Sequence, residues 1–363
     1  MTDRRPARLA ALVAAMQQAH LDAVLLTGLA NIRYLTGFAG SSALGVVTCR
    51  SEVVLVTDFR YRTQAAEQAG DVARVVIEGQ SLWAGLWQQL AQLAYVAVVG
   101  FEGAHLLHRD FERLLDAGAR WSWRPTADLV ERLRERKDAD EVAHIREAGA
   151  VAVRALERTL ADVRPGLTEL AVAGMLERAL REGGSEGFPF ETIVASGPRS
   201  ALPHARAAAR ELAVGDLLLI DFGAVVAGYC ADVTRTVVLG RADARQREVY
   251  EVVQAANALA SARVRAGMTG RDGDALARDY IDGRGFGEAF GHSLGHGLGL
   301  EVHEAPRLAR SADAALPPDS VVTIEPGIYL PEWGGVRIED DVHLAPDGPV
   351  VLTHFPRELL ELS

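Results

Sequence analysis

Four carboxylates and one histidine, all in apolar, strand-like surroundings, constrain the fold of this 363-residue chain more than any other feature. They are Asp221 in LLLIDFG, Asp232 in GYCADVTRTVV, His296 in GHSLGHGLGL, Glu325 in VVTIEPGIYL and Glu339 in GGVRIEDDV. A carboxylate inside a core is costly unless it is protonated, paired or bound to a cation. Four together cannot all stay ionised without a large positive charge among them. Two divalent cations supply that charge, and oxygen-rich ligands with one imidazole suit Mn, Co or Zn. Two such ions sharing bridging carboxylates make a nucleophile from water at neutral pH.

The length fits two domains, and half the residues are apolar, enough for sizeable cores. A net charge of −11 argues against a nucleic-acid partner, which needs clustered Lys and Arg. Cys49 and Cys230 are too few and too far apart for a disulfide framework, so a reducing cytoplasm is the expected location. Arg4 and Arg5 before LAALVAAM superficially suggest a targeting leader. Leu9, Leu12, Val13 and Met16, however, fall on one stripe of an amphipathic helix. No stretch approaches the ~20 apolar residues of a membrane span.

Up to about residue 130 the chain alternates strand-like runs (AVLLTG, ALGVVT, EVVLVTD, ARVVIE, YVAVVG) with helical segments near 61–69, 81–92 and 107–117. That predicts an α/β domain over 1–132. Gly28, Gly37 and Gly40 are too scattered for a dinucleotide loop. The charged segment ERLRERKDADE marks the boundary and opens a long helix. Pro165-Gly166 ends one helix, and Thr168 caps the next, which runs to Arg181. After about residue 190 strands dominate, apart from helices near 244–265 and 272–282. The second domain, 133–363, is therefore expected to be α+β with one curved, mainly antiparallel sheet.

Asp221 ends an apolar strand, and Asp232 lies across a hairpin whose turn is Ala227-Gly228, within reach of a common ion. His292, His296 and His303 fall within twelve residues of glycine-rich chain, which favours a site over isolated packed histidines. The stretch is not an HExxH zinc helix. Glu325 precedes Pro326-Gly327, where an unpaired carboxylate is hard to accommodate. Arg337 and Glu339, two apart on a strand, share a face; a simple ion pair is one reading, and an arginine that orients a metal-ligating carboxylate is the better one.

The order of these residues resembles the metal set of the proline-specific metallopeptidases with the pita-bread fold, the aminopeptidase P and prolidase branch. SALPHA around His204, DFGAVVAGYCADVTRT, GHSLGHGLGLEVHE, TIEPGIY, GGVRIEDD and the N-terminal NIRYLTGFAGSSA carry the resemblance over nearly the whole chain. It implies a creatinase-like, non-catalytic N-terminal domain and a pita-bread catalytic domain. It also implies two divalent ions per subunit, Mn foremost, with Zn or Co as alternatives. Asp221 would chelate one ion, His296 and Glu325 the other, and Asp232 and Glu339 would bridge them. A hydroxide held between the ions would attack the carbonyl preceding proline. Glu325 would carry the proton, and His303 would stabilise the oxyanion. His204 would contact the substrate backbone, and His292 would shape the proline pocket. Tyr329 and Arg337 would support the site.

Residue chemistry alone supports only a dinuclear metal hydrolase; the proline preference comes from the resemblance. An Xaa-Pro aminopeptidase is favoured, because no inserted segment is evident to close the site beyond proline. An Xaa-Pro dipeptidase (prolidase) is the alternative. Methionine aminopeptidase fits the N-terminal domain and the SALPHA setting less well. A metal-free hydrolase or a non-enzymatic peptide-binding module of the same fold would show eroded ligands, and none is eroded. The implied partners are a proline-containing peptide and a second copy of the chain, as a homodimer or larger assembly.

Overall fold

The computed structural model describes residues 3–363, which divide into two compact units, one ending at Arg134 and the other beginning at Glu135. The first is a mixed six-stranded sheet with helices. Its helices are α1 (Arg5–Gln18), α2 (Leu29–Thr36), α3 (Arg62–Ala69), α4 (Leu82–Gln92), α5 (His108–Asp116) and α6 (Glu131–Arg134). Its strands are β1 (Ala23–Leu26), β2 (Ala43–Thr48), β3 (Val53–Asp58), β4 (Arg74–Glu78), β5 (Val98–Glu102) and β6 (Ser122–Thr126), in the order β4-β3-β2-β1-β5-β6. Strand β2 runs antiparallel to both neighbours, and the other pairings are parallel. Leu9, Leu12, Val13 and Met16 of α1 are all buried, as the helical stripe requires. Trp83, Trp87, Trp121 and Trp123 form one aromatic cluster, with Trp87 stacked on Trp121 at 5.9 Å between ring centroids.

The second unit opens with α7 (Ala139–Leu160), started by a reciprocal capping box between Asp138 and Glu141. Helix α8 (Glu169–Glu182) is capped by the Thr168 side chain, which accepts from the Ala171 amide. These helices pack on a four-stranded sheet of β7 (Ile193–Ser196), β8 (Leu217–Val226), β9 (Tyr229–Leu239) and, at the end of the chain, residues 361–362. Helices α9 (Ala244–Arg263) and α10 (Gly270–Asp282) back the strands that follow. Those are β10 (Gly295–Gly297), β11 (Glu304–Leu308), β12 (Val321–Ile324), β13 (Gly327–Leu330), β14 (Gly334–Arg337), β15 (Asp340–Ala345) and β16 (Gly348–Val351); the edge strand of the four-stranded sheet is β17 (Glu361–Leu362). The order β11-β10-β12-β15-β16 gives an all-antiparallel sheet, and β13 pairs with β14 alone. Only β17 on β9 is parallel in this unit.

Three elements of the first unit escape the sequence reading. Helix α2 is buried along most of its length and shows no polar stripe, the four-residue α6 falls within the charged boundary segment, and β6 is an edge strand interrupted by Pro125, with polar residues on both sides. Helix α7 also stops at Leu160, before Pro165-Gly166. Among the described residues, no helix is long and apolar enough to cross a membrane.

Candidate active site

The site is built on the β8/β9 hairpin. Its turn, Ala227-Gly228, has positive φ at both residues, the geometry whose twist matches the flanking strands. Asp221 is the fifth residue of a ten-residue strand and does not end it, a correction to the sequence reading. It lies opposite Thr234, and Asp232 lies opposite Gly223, so the two aspartates are diagonal neighbours on one face. Glycine is required at 223: a Cβ there would sit 2.2 Å from the Ala231 carbonyl oxygen.

The other carboxylates sit just outside strands. Glu325 follows β12; its amide donates to the Leu294 carbonyl and its Oε1 accepts from Thr323 Oγ1 at 3.2 Å. Glu339 lies between β14 and β15, bridged backbone to backbone with Thr234, whose Oγ1 donates to Glu339 Oε2 at 2.5 Å. His296, on β10, donates from Nδ1 to the Gly297 carbonyl, which leaves Nε2 with a lone pair. That Nε2 is 3.4 Å from Glu325 Oε1 and 3.8 Å from Asp232 Oδ2. Ligand atoms of Asp232, His296 and Glu339 all fall within 4.8 Å of one another.

Arg337 does not pair with Glu339. Its Nη2 donates to Asp221 Oδ2 at 2.5 Å, its Nη1 to Tyr329 Oη at 2.6 Å and its Nε to Thr234 Oγ1 at 3.1 Å. The simple ion pair is therefore corrected: the carboxylate this arginine orients is Asp221. Tyr329 Oη is 2.9 Å from His292 Nε2, and His292 Nδ1 donates to the Ser293 carbonyl. Since Arg337 is a donor, the tyrosine hydroxyl donates onward to His292, giving a chain from Asp221 to His292. The rings of His296 and His303 meet edge to face at 4.4 Å. The five carboxylate and imidazole groups, with His204, His292, His303 and Arg337, line one cavity of about 740 Å³, and Tyr329 supports it through its bonds to His292 and Arg337.

The family description "Metallopeptidase family M24" matches residues 143–346, and "Creatinase/Prolidase N-terminal domain" matches residues 8–136. The chain belongs to metallopeptidase family M24. It is 35% identical to an Xaa-Pro dipeptidase of Pyrococcus furiosus, over 97% of this chain and 99% of that one. It superposes on an Xaa-Pro dipeptidase from Bacillus anthracis with a TM-score of 0.95, at 39% identity over 99% of this chain and all of that one. An X-Pro aminopeptidase from Thermotoga maritima follows, with a TM-score of 0.90 at 35% identity over 97% of this chain and 99% of that one. The expected architecture holds: an α/β N-terminal domain and a pita-bread metallopeptidase domain.

The residues of this M24 site fit a divalent cation. Asp221, Asp232 and Glu339 are all buried, and Asp221 Oδ1 and Asp232 Oδ1 are buried with no hydrogen-bond partner among the described residues. Burial first, then repulsion from neighbouring carboxylates, pushes Asp232 and Glu339 well above the ordinary range. Glu325 is pushed up to about 8 by burial, against the pull of Arg337 and with added repulsion from Asp221. Such a cluster is short of positive charge. Burial lowers His292 and His296 to about 4, so both rings are neutral at pH 7, and it also lowers His303. Burial holds Tyr329 up at about 12, which keeps its hydroxyl a donor.

Two contributors escape the sequence reading. Thr234, two residues after Asp232 and on the same face, bonds both Glu339 and Arg337; the spacing was the available signal. Arg307, on β11 directly opposite His296, lines the cavity and has no ion-pair partner among the described residues.

Proposed function

We propose that this M24 peptidase is an Xaa-Pro dipeptidase, in place of the aminopeptidase favoured on sequence. Arg307 carries the proposal: an exposed, unpaired guanidinium on the cavity wall opposite His296 suits the free carboxylate of a substrate that ends at proline. The names of the Bacillus anthracis and Pyrococcus furiosus relatives support the same reading. The Thermotoga maritima relative favours a second reading, an aminopeptidase whose cavity stays open to longer peptides.

In this proposal Asp221, Asp232, His296, Glu325 and Glu339 hold two divalent ions. Bound there, the ions supply Lewis acidity toward a water and toward the substrate carbonyl. Glu325, whose Oε1 lies 3.4 Å from His296 Nε2, would take a proton from the attacking water and return it to the leaving proline nitrogen. That nitrogen belongs to a tertiary amide and brings no N–H of its own. His303 donates to the carbonyl oxygen as charge develops on it. His204, exposed at the cavity mouth, contacts the substrate backbone, and His292 forms the wall against the ring. The N-terminal unit, up to Arg134, is a non-catalytic domain, and the working assembly is a cytoplasmic homodimer.

Hydrolysis of an Xaa-Pro dipeptide and of an Xaa-Pro-Xaa tripeptide, after loading with Mn, Co or Zn and with a chelated control, tests this. The dipeptide is expected to be preferred. Arg307→Ala should raise its KM about 10- to 100-fold, the worth of one hydrogen bond to a charged group. Preference for the tripeptide, with no effect of Arg307→Ala, makes the enzyme an aminopeptidase.

A further inference from the structure

We propose that Asp274 and Arg278, one turn apart on α10, are positioning residues that set the place of His292 in the substrate pocket. The proposal rests on the peptidase reading above for the role of His292. The segment between Ala289 and Gly295 has no regular secondary structure, yet it carries His292 into the cavity. Its backbone is held by this pair. Arg278 Nη1 donates to the Phe290 carbonyl at 2.9 Å and Nη2 to the His292 carbonyl at 2.7 Å. Asp274 Oδ1 accepts from the Leu294 amide at 3.0 Å. The two side chains close on each other through Nε to Oδ2 at 2.5 Å and Nη2 to Oδ1 at 2.8 Å.

Stability alone does not explain a charged pair at this place. Both residues are buried, and a buried ion pair is often matched or exceeded by apolar residues of similar volume. Apolar replacements would leave two carbonyls and an amide of one short segment without partners. A planar guanidinium reaches two carbonyls and a carboxylate at once, which a lysine ammonium at the same place cannot do. The Arg278 guanidinium also lies 4.2 Å over the Phe290 ring, which packs T-shaped with His292 at 5.1 Å between centroids. The clamp thus fixes His292 by its backbone and by its neighbouring ring. Tyr329 fixes the far end of the imidazole at Nε2.

The test is a double-mutant cycle on the metal-loaded enzyme, using Arg278→Lys and His292→Ala. Arg278→Lys should raise the KM for an Xaa-Pro dipeptide about tenfold, as expected for one lost charged hydrogen bond, with little change in kcat. In the His292→Ala background the same substitution should change KM no further. Asp274→Asn, which keeps an acceptor for Leu294 but loosens Arg278, should repeat the pattern if Arg278→Lys folds poorly. An equal rise in KM with and without the His292 ring overturns the proposal, as does an unchanged KM. A substrate-free readout separates this from the dipeptidase reading. In nitrogen-15 histidine spectra, Arg278→Lys should shift the His292 Nε2 signal and leave the other histidines in place. If the wild type cleaves no Xaa-Pro substrate, the substrate reading fails, and an unmoved His292 signal still overturns the clamp.

Discussion

Removing divalent ions should make the catalytic unit lose stability as pH rises from 6.5 to 8. Glu325 sets the sign. Its carboxyl is raised from the ordinary 4.5 to about 8 in the folded chain, so the folded state holds that proton more tightly than the unfolded one. The resulting stability is complete below pH 4.5 and is lost as pH climbs through 8. His292 and His296 act in the opposite direction, since their rings are lowered from 6.5 to about 4. Their effect ends at 6.5, above which the unfolded rings are neutral too. Between 6.5 and 8 Glu325 alone removes about 2 kcal/mol, at about 1.4 kcal/mol per pH unit. Asp232 and Glu339, raised for the same reasons, contribute with the same sign. Divalent ions displace these protons, so the loaded protein should show no such fall. Urea unfolding of chelator-treated and Mn-loaded protein at pH 6.5 and pH 8, followed by far-ultraviolet circular dichroism and limited proteolysis, measures the difference. A metal-free protein whose stability is level or rises over that interval refutes the reasoning.

Arg337→Met removes the partner of buried Asp221 and should cost about 3–5 kcal/mol in the metal-free protein, read from the urea midpoint. Gly223→Ala places a methyl 2.2 Å from the Ala231 carbonyl oxygen and 2.4 Å from Pro189 Cγ, opposite Asp232. It should lower stability by about 1–3 kcal/mol and weaken metal uptake, measured by thermal unfolding and metal analysis. In the N-terminal unit, burial tends to raise Glu131, but the bonds from His105 and Asn31 outweigh it and hold it at about 2. The stability this gives is present above 4.5 and is lost as pH falls toward 2, about 1–2 kcal/mol once solvent screening of this partly exposed carboxylate is allowed for. Glu131→Gln should flatten that part of the acid unfolding curve.

The β8/β9 hairpin was legible because its signals are local: alternating apolar residues, a turn pair able to take positive φ, and two aspartates placed to share a face. Arg337 was legible as a support but not in its choice of partner. The rule that residues two apart share a face assumes a continuous strand, and β14 ends at Arg337. Ile338 and Glu339 lie beyond it, where Glu339 pairs with Thr234 on another sheet, a contact spanning more than a hundred residues. Arg307 was hidden for a related reason. The run EAPRL has little strand character, and its register with β10 shifts between His296 and Gly297. What the chain writes locally could be read. What depends on which distant strands meet could not.

The aromatic cluster of the first unit divides the optical signals of this protein unevenly. Four of its five tryptophans are Trp83, Trp87, Trp121 and Trp123, and only Trp333 belongs to the second unit. Intrinsic emission therefore reports mainly on the part of the molecule that holds none of the candidate ligands. The close, stacked indoles of Trp87 and Trp121 are also placed for exciton coupling in the ultraviolet. A fluorescence melt of this peptidase can look intact while the metal-bearing half has already opened, and a quenched or red-shifted spectrum need not mean a lost active site.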